Sequence, residues 1–425
     1  MIKRDVHTLA VVLSALCTLS MGCAHKQDGC RLDTECPNGQ ICRNTKCEST
    51  PESALRAAHD DGRGPGDIQA ITNADIQNHT KLVDLGPGVD YTLEEKITLS
   101  ASQKLQIEPG VTILMKSSDA AIETTDDSLL VMEGSSQKPI VLRADPNVKW
   151  QGIRLGGTNP NHTLKHVTLE NAAAGDAAIL LTDEAQASLE NLTIQDANDA
   201  IKALNTSTIK KLHSTTLNHC QGFPLTLDTL QILKSAQNNH FDGAQKRAIR
   251  ILHAPILIND TFTVPKFDLP FQFDDGLNVS GLGVFTIPEG AEFTVGKEKI
   301  VAFSDVQLNI LGKSNAPVLM HGIKDEDGYW AGVTVSSMNA TVIQHLTLIN
   351  TGADMAPALS LNDKSKVTLK NITFSGSAAI CLAIGEEVDL TSEGGHSFNG
   401  CQNRNVLDER LEDTVHNIID DIPIG

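Results

Sequence analysis

The sequence predicts an all-β protein: a right-handed parallel β-helix solenoid with a duplicated unit, preceded by a small disulfide-rich segment. Three observations carry this. From about residue 81 the chain consists of short runs with alternating apolar positions, bounded by Gly, Asn, Asp or Pro. Similar runs recur at the length of one solenoid coil. A longer similarity recurs at an offset of 180 residues.

The short runs include Leu105-Gln106-Ile107, Val111-Thr112-Ile113-Leu114, Pro139-Ile140-Val141-Leu142, Val167-Thr168-Leu169, Ile179-Leu180-Leu181, Leu192-Thr193-Ile194 and Leu346-Thr347-Leu348. Period-two alternation buries one face of a strand. It is compatible with a sandwich, a barrel or a β-helix. Coil-length repeats decide. Runs starting at Leu164, Leu189, Ile209 and Leu230 are 25, 20 and 21 residues apart. Hairpin sandwiches place turns every 8–12 residues or so and need no such similarity. Asn171, Asn218 and Asn239 are expected in tight turns, stacked as an Asn ladder. Roughly 14 coils at the strand spacing give a body on the order of 65 Å long.

The longer repeat pairs Gly110 with Gly290, Trp150 with Trp330, Gly152 with Gly332 and Asn191 with Asn371, each 180 apart. Pro139 and Pro317, Asn171 and Asn350, and Cys220 and Cys401 lie 178, 179 and 181 apart. The copies are assigned to residues 81–243 and 244–405. Pro255, Pro265 and Pro270 are expected to interrupt regular pairing between them.

Ile107-Glu108-Pro109-Gly110-Val111-Thr112-Ile113, then Gly134 through Pro139-Ile140, then Trp150-Gln151-Gly152-Ile153, resembles the opening of bacterial pectate-lyase-like β-helix surface proteins. The second copy repeats it as Ile287-Pro288-Glu289-Gly290, Gly312 through Pro317-Val318 and Trp330-Ala331-Gly332-Val333. The resemblance covers most of residues 81–404. It implies the fold and leaves the function open, because one fold hosts many roles.

Residues 1–22 read as a signal peptide, with basic Lys3 and Arg4 followed by an apolar stretch from Leu9 to Cys17. Leu19-Ser20-Met21-Gly22-Cys23 resembles a lipobox. That resemblance implies lipid attachment at Cys23, and Ala24 after it implies an outer-membrane lipoprotein of the cell envelope. Ser20 and Gly22 also satisfy the small-x-small rule of ordinary cleavage, which leaves simple secretion open. Residues 23–50 hold Cys30, Cys36, Cys42 and Cys47. Four cysteines in a polar, turn-rich segment of an exported chain indicate disulfides rather than zinc, whose modules use tighter spacing. Cys30–Cys42 with Cys36–Cys47 is the preferred pairing. Residues 51–80, rich in Ser, Asp, Gly, Pro and Ala, read as a flexible linker. Residues 406–425 read as an acidic C-terminal cap or tail, with Leu407, Leu411, Val415 and Ile418 at helical spacing.

The net charge of −19 and the lack of a basic stripe argue against nucleic acid as a partner. Aromatic residues make up only 4%, which counts against a sugar-stacking groove. Asp325-Glu326-Asp327 is the best acidic cluster and a weak candidate for Ca²⁺, since hard cations take oxygen ligands. The first copy lacks it, and a solvated turn is the simpler expectation. Otherwise neither cofactor nor catalytic residue is predicted. Cys381 and Cys401, about one coil apart, are candidates for a disulfide between adjacent coils. The expected function is a non-catalytic envelope protein, held at the membrane by its lipid, that engages a surface polysaccharide or protein ligand. A polysaccharide lyase or glycoside hydrolase working along the helix is the alternative. The knot is testable by mass. The non-reduced peptide spanning Cys30 to Cys47 should be four hydrogens lighter than its reduced form and free of zinc. Free thiols or stoichiometric zinc there would overturn the disulfide assignment.

Overall fold

The structure is a computed structural model. It describes residues 68–410, apart from 77, 78, 254, 363 and 403, and the strand backbone at 40–43 and 46–49. Two compact units are distinguished, Met1–Arg63 and Gly64–Gly425. In the first, Gln40–Arg43 and Lys46–Ser49 form an antiparallel hairpin whose backbone register sets Cys42 opposite Cys47. Cys23, Cys30, Cys36 and the pairing of the knot lie outside the described residues, as do the signal peptide and residues 411–425.

The second unit is a parallel β-solenoid of about 13 turns, in keeping with a right-handed β-helix. At the strand spacing this is a stack about 60 Å long. One 13-stranded sheet runs its whole length, from Lys96–Leu99 to Ser397–Cys401. The two copies therefore form one continuous solenoid. Two 7-stranded sheets complete the first copy, and a 7-stranded and a 6-stranded sheet complete the second. The first strand is Gln69–Ile71. It lies inside the 51–80 stretch read as linker. An end coil needs few apolar positions, and Ile71 and Leu82 are the buried residues of the first two strands, so the sequence pattern there is faint.

Alternation holds in many strands, although Leu225–Leu227 is buried at every position and Asp389–Ser392 at none. Lys104–Ile107, Thr112–Met115 and Ile140–Ala144 each bury every second residue. Leu164 pairs with Leu189, as the 25-residue spacing predicts. The next steps differ. Leu189 pairs with Leu212, and Ile209 pairs with Ala187, because the register shifts between Ala187 and Ser188. The irregularity lets both Ile209 and Leu212 face the core. Leu230 lies in a 3-10 turn, Leu230–Ile232. The expected single Asn ladder is also absent among the described residues. Asn218 lies in a strand, while Asn239 accepts from Thr215 N at 3.0 Å and donates to Leu212 O at 2.8 Å. The stacked turns instead place His166, Asn191, Ser214 and Asn238 at positive φ. These are mostly residues that tolerate the left-handed region.

The duplication turns out to be rotated. Thr112–Met115 belongs to a first-copy sheet, whereas its partner at 180 residues, Glu292–Val295, belongs to the long sheet. Ile140–Ala144 and Val318–Gly322 are related in the same way. Ala121–Thr124 is in the long sheet, but its counterpart Ile300–Ser304 is in a second-copy sheet. The offset is thus seven turns and one face. Local geometry is nonetheless copied. Trp150 and Trp330 are fully buried, and their indole N–H groups donate at 2.8 Å to Glu170 O and Ile349 O. Gly152 and Gly332 have positive φ, and a Cβ on either would come within 2.5 Å of a carbonyl in the next coil.

Two faces break near these prolines, but the long sheet passes through the region unbroken and Pro255 itself pairs with Asn278. The two first-copy sheets end at Thr216–Asn218 and Ala236–Gln237, and the two second-copy sheets begin at Pro255–Leu257 and Thr261–Thr263. Eight of the eleven Phe residues fall between 241 and 303, across this seam. Their rings touch in a chain, Phe241–Phe267, Phe267–Phe271, Phe271–Phe293 and Phe273–Phe293, with centroids 5.0–5.9 Å apart. Large rings fill the space where regular stacking stops. Phe293→Ala should therefore cost about 3–5 kcal/mol of stability. Chemical denaturation checks this, and a loss below about 1 kcal/mol would show that the ring cluster does not hold the seam.

Candidate functional site

Outward-facing residues of the long sheet form a row, one per coil. Thr226, Arg250, Gln272, Thr294 and His321 are in register on consecutive strands. At the seam, segments on either side rise beside this row. Between them lies a groove of about 480 Å³. Its floor is Arg250, Gln272 and Thr294, and its sides include Phe223, Lys246, Arg247, Pro270, Asp274 and Ile323. The volume is in the range of small-molecule sites.

The charges are arranged around Phe223, which is itself largely buried. The Lys246 ammonium lies 4.7 Å from its ring centroid and the Arg250 guanidinium 5.3 Å. Arg250 donates to Asp274 at 2.7 Å, and Gln272 donates to the other oxygen of Asp274 at 2.7 Å. Arg247 meets Asp242 at 3.3 Å. Further along the row His321 bonds Glu292 at 2.9 Å, which raises the imidazole above its usual range. Sequence reasoning missed this site. Its signal was Lys246-Arg247-Ala248-Ile249-Arg250, three cations in five residues of an acidic chain.

The residues singled out from the sequence fall elsewhere. Cys381 and Cys401 form the expected disulfide, with Cα atoms 5.6 Å apart. It ties neighbouring coils near the C-terminal end. Asp325 accepts a bond from Asn350, Glu326 is 3.9 Å from Lys324, and Asp327 lies over Gly376. Among the described residues no three His, Cys, Asp or Glu side chains are gathered as a metal site. Cys220 is a buried free thiol pushed up to about 11 by burial, so it stays protonated at neutral pH. On a first-copy sheet, burial raises Glu170, while nearby Arg143 opposes that shift.

His162 shows how burial sets charge in this body. Its Nδ1 accepts from Leu130 N at 3.3 Å, and its Nε2 has no partner among the described residues. Desolvation lowers its pKa to about 4. The folded pKa lies below the unfolded value near 6.5, so the associated stability is complete above 6.5 and is lost as pH falls towards 4. The expected loss is roughly 3 kcal/mol across that window. His162→Asn, which keeps an acceptor for Leu130, should flatten this part of the stability profile measured by denaturation. An unchanged slope would assign the acid sensitivity to other groups.

No family model, curated protein or solved structure matches the chain.

Proposed function

We propose that this chain is a non-catalytic lipoprotein of the cell envelope, anchored through Cys23 in the outer membrane, whose β-helix is a rigid body presented for adhesion, scaffolding or ligand binding. The pectate-lyase-like resemblance belongs to this reading as a kinship of form. One observation carries it: what the two copies share is consumed by folding. Trp150 and Trp330 fasten one coil to the next through matching N–H donors. Gly152 and Gly332 permit the same close approach of backbones. A duplicated catalytic centre would be expected to keep its reactive residues in both copies. The residues that differ between copies, including the cationic groove at the seam, are where a ligand-specific feature would arise.

Two measurements test the proposal. Cys23→Ser should move the protein from the membrane fraction to a soluble pool, since two acyl chains anchor stably. Membrane retention after signal cleavage would overturn the anchor. The purified protein, incubated with acidic and neutral polysaccharides with and without Ca²⁺, should yield no unsaturated products and no new reducing ends. Products that vanish in the Asp325→Ala, Asp327→Ala double variant would establish an enzyme instead.

A further inference from the structure

We infer that the seam groove is a binding site for a compact organic monocarboxylate with an apolar body. This rests on the ligand-binding reading above and gives it a chemistry. Three facts define the ligand.

The first is charge. Arg250 is neutralised by Asp274 and Arg247 by Asp242. Lys246 alone has no carboxylate within 4.0 Å among the described residues, and its ammonium is held against the ring of Phe223. Asp199, bonded to Phe223 N and the Thr226 hydroxyl, pairs with none of these cations, so the groove keeps one unpaired cation, Lys246. That matches a monoanion better than a phosphate dianion, which would bring an excess negative charge towards Asp274. On a chain of net charge −19, anions are repelled at long range, so a local cation is needed for any anion to settle.

The second is shape. The groove volume of about 480 Å³ suits a ligand of one or two rings. The third is lining. Ala248, Pro270 and Ile323 give it apolar walls, and Ile323 is one of the large apolar side chains left exposed among the described residues. Gln272 spends its N–H on Asp274, which leaves its carbonyl oxygen and the Arg250–Gln272–Thr294 row to orient polar substituents. The site is open on one side, so affinity should be modest.

The probes are phenylacetate, the neutral phenylacetamide, glucuronate and inorganic phosphate, titrated into the full mature protein and followed by saturation-transfer NMR. Phenylacetate should saturate with a Kd of about 1 mM. Phenylacetamide and glucuronate should bind about tenfold more weakly, the first for want of charge and the second for want of an apolar body. Lys246→Gln should weaken phenylacetate by about tenfold, and because Lys246 is exposed the variant should unfold with the parent. Ile323→Ser should weaken phenylacetate while leaving the small response to phosphate unchanged. Equal binding of acid and amide, preference for phosphate or glucuronate, no saturation up to about 10 mM, or an unaffected Lys246→Gln would each overturn the assignment. Such failure leaves the envelope-scaffold reading intact, because that reading is decided by fractionation and by the polysaccharide assay.

Discussion

The backbone ladder of the 13-stranded sheet is the interaction on which the rest of this structure depends. Each inner strand in it both donates to and accepts from the strands on either side, so position along the axis is fixed coil by coil. A β-helix has no helix packed on its outside to compensate for a slipped strand. Register must come from the ladder and from the inward apolar row beneath it, where a one-residue slip would turn the core outward. The irregularity at Ala187/Ser188 shows the tolerance. Lys210 is accommodated as an extra residue, and Ile209 and Leu212 both still reach the core.

That ladder also explains how a duplicated unit can be rotated within one solenoid. The long sheet needs strands of the right length with alternating inward residues. It does not need them from the same place in the repeat. Strands from one face of the first copy and another face of the second meet both conditions, and the sheet passes through the seam unbroken. The other faces do not continue across it. Pro255 opens the first strand of a new sheet, where its missing N–H costs no ladder bond. The interior, no longer lined by coils in phase, is filled by phenylalanine rings instead of the Leu and Ile that dominate the first copy.

Much of this fold was legible in the residues. Alternation named the strands, Leu164 over Leu189 gave the coil, and the offset of Trp-x-Gly gave the duplication. What was not legible follows from what periodicity omits. An offset of 180 residues does not say how many faces it spans, because coils vary in length. Gln69–Ile71 and His79–Leu82 were hidden because an end coil shows little alternation. Coil spacing made Cys381 and Cys401 candidates for a disulfide but left buried free thiols equally open, and the structure shows them bonded. The groove was not legible, because its floor comes from Arg250, Gln272 and Thr294, residues about 22 apart that are ordinary in their own strands. Their meeting is a property of register.

A seam is also where a repetitive protein is free to differ. In a regular stack, every outward residue has neighbours of similar kind one coil above and below, and the surface is a flat array of rows. Concavity requires the array to be interrupted. Here the phase change does so twice, through the segment carrying Asp242 to Arg247 and through the proline-bounded loop ending at Pro270. Both rise beside the one sheet that stays continuous. The groove thus inherits a rigid floor from the ladder and variable walls from the break, the combination a selective site requires. Residues shared by the copies could not have produced it, since they are committed to corners and core. The same rotation that the fold had to accommodate supplies the surface on which function can be built.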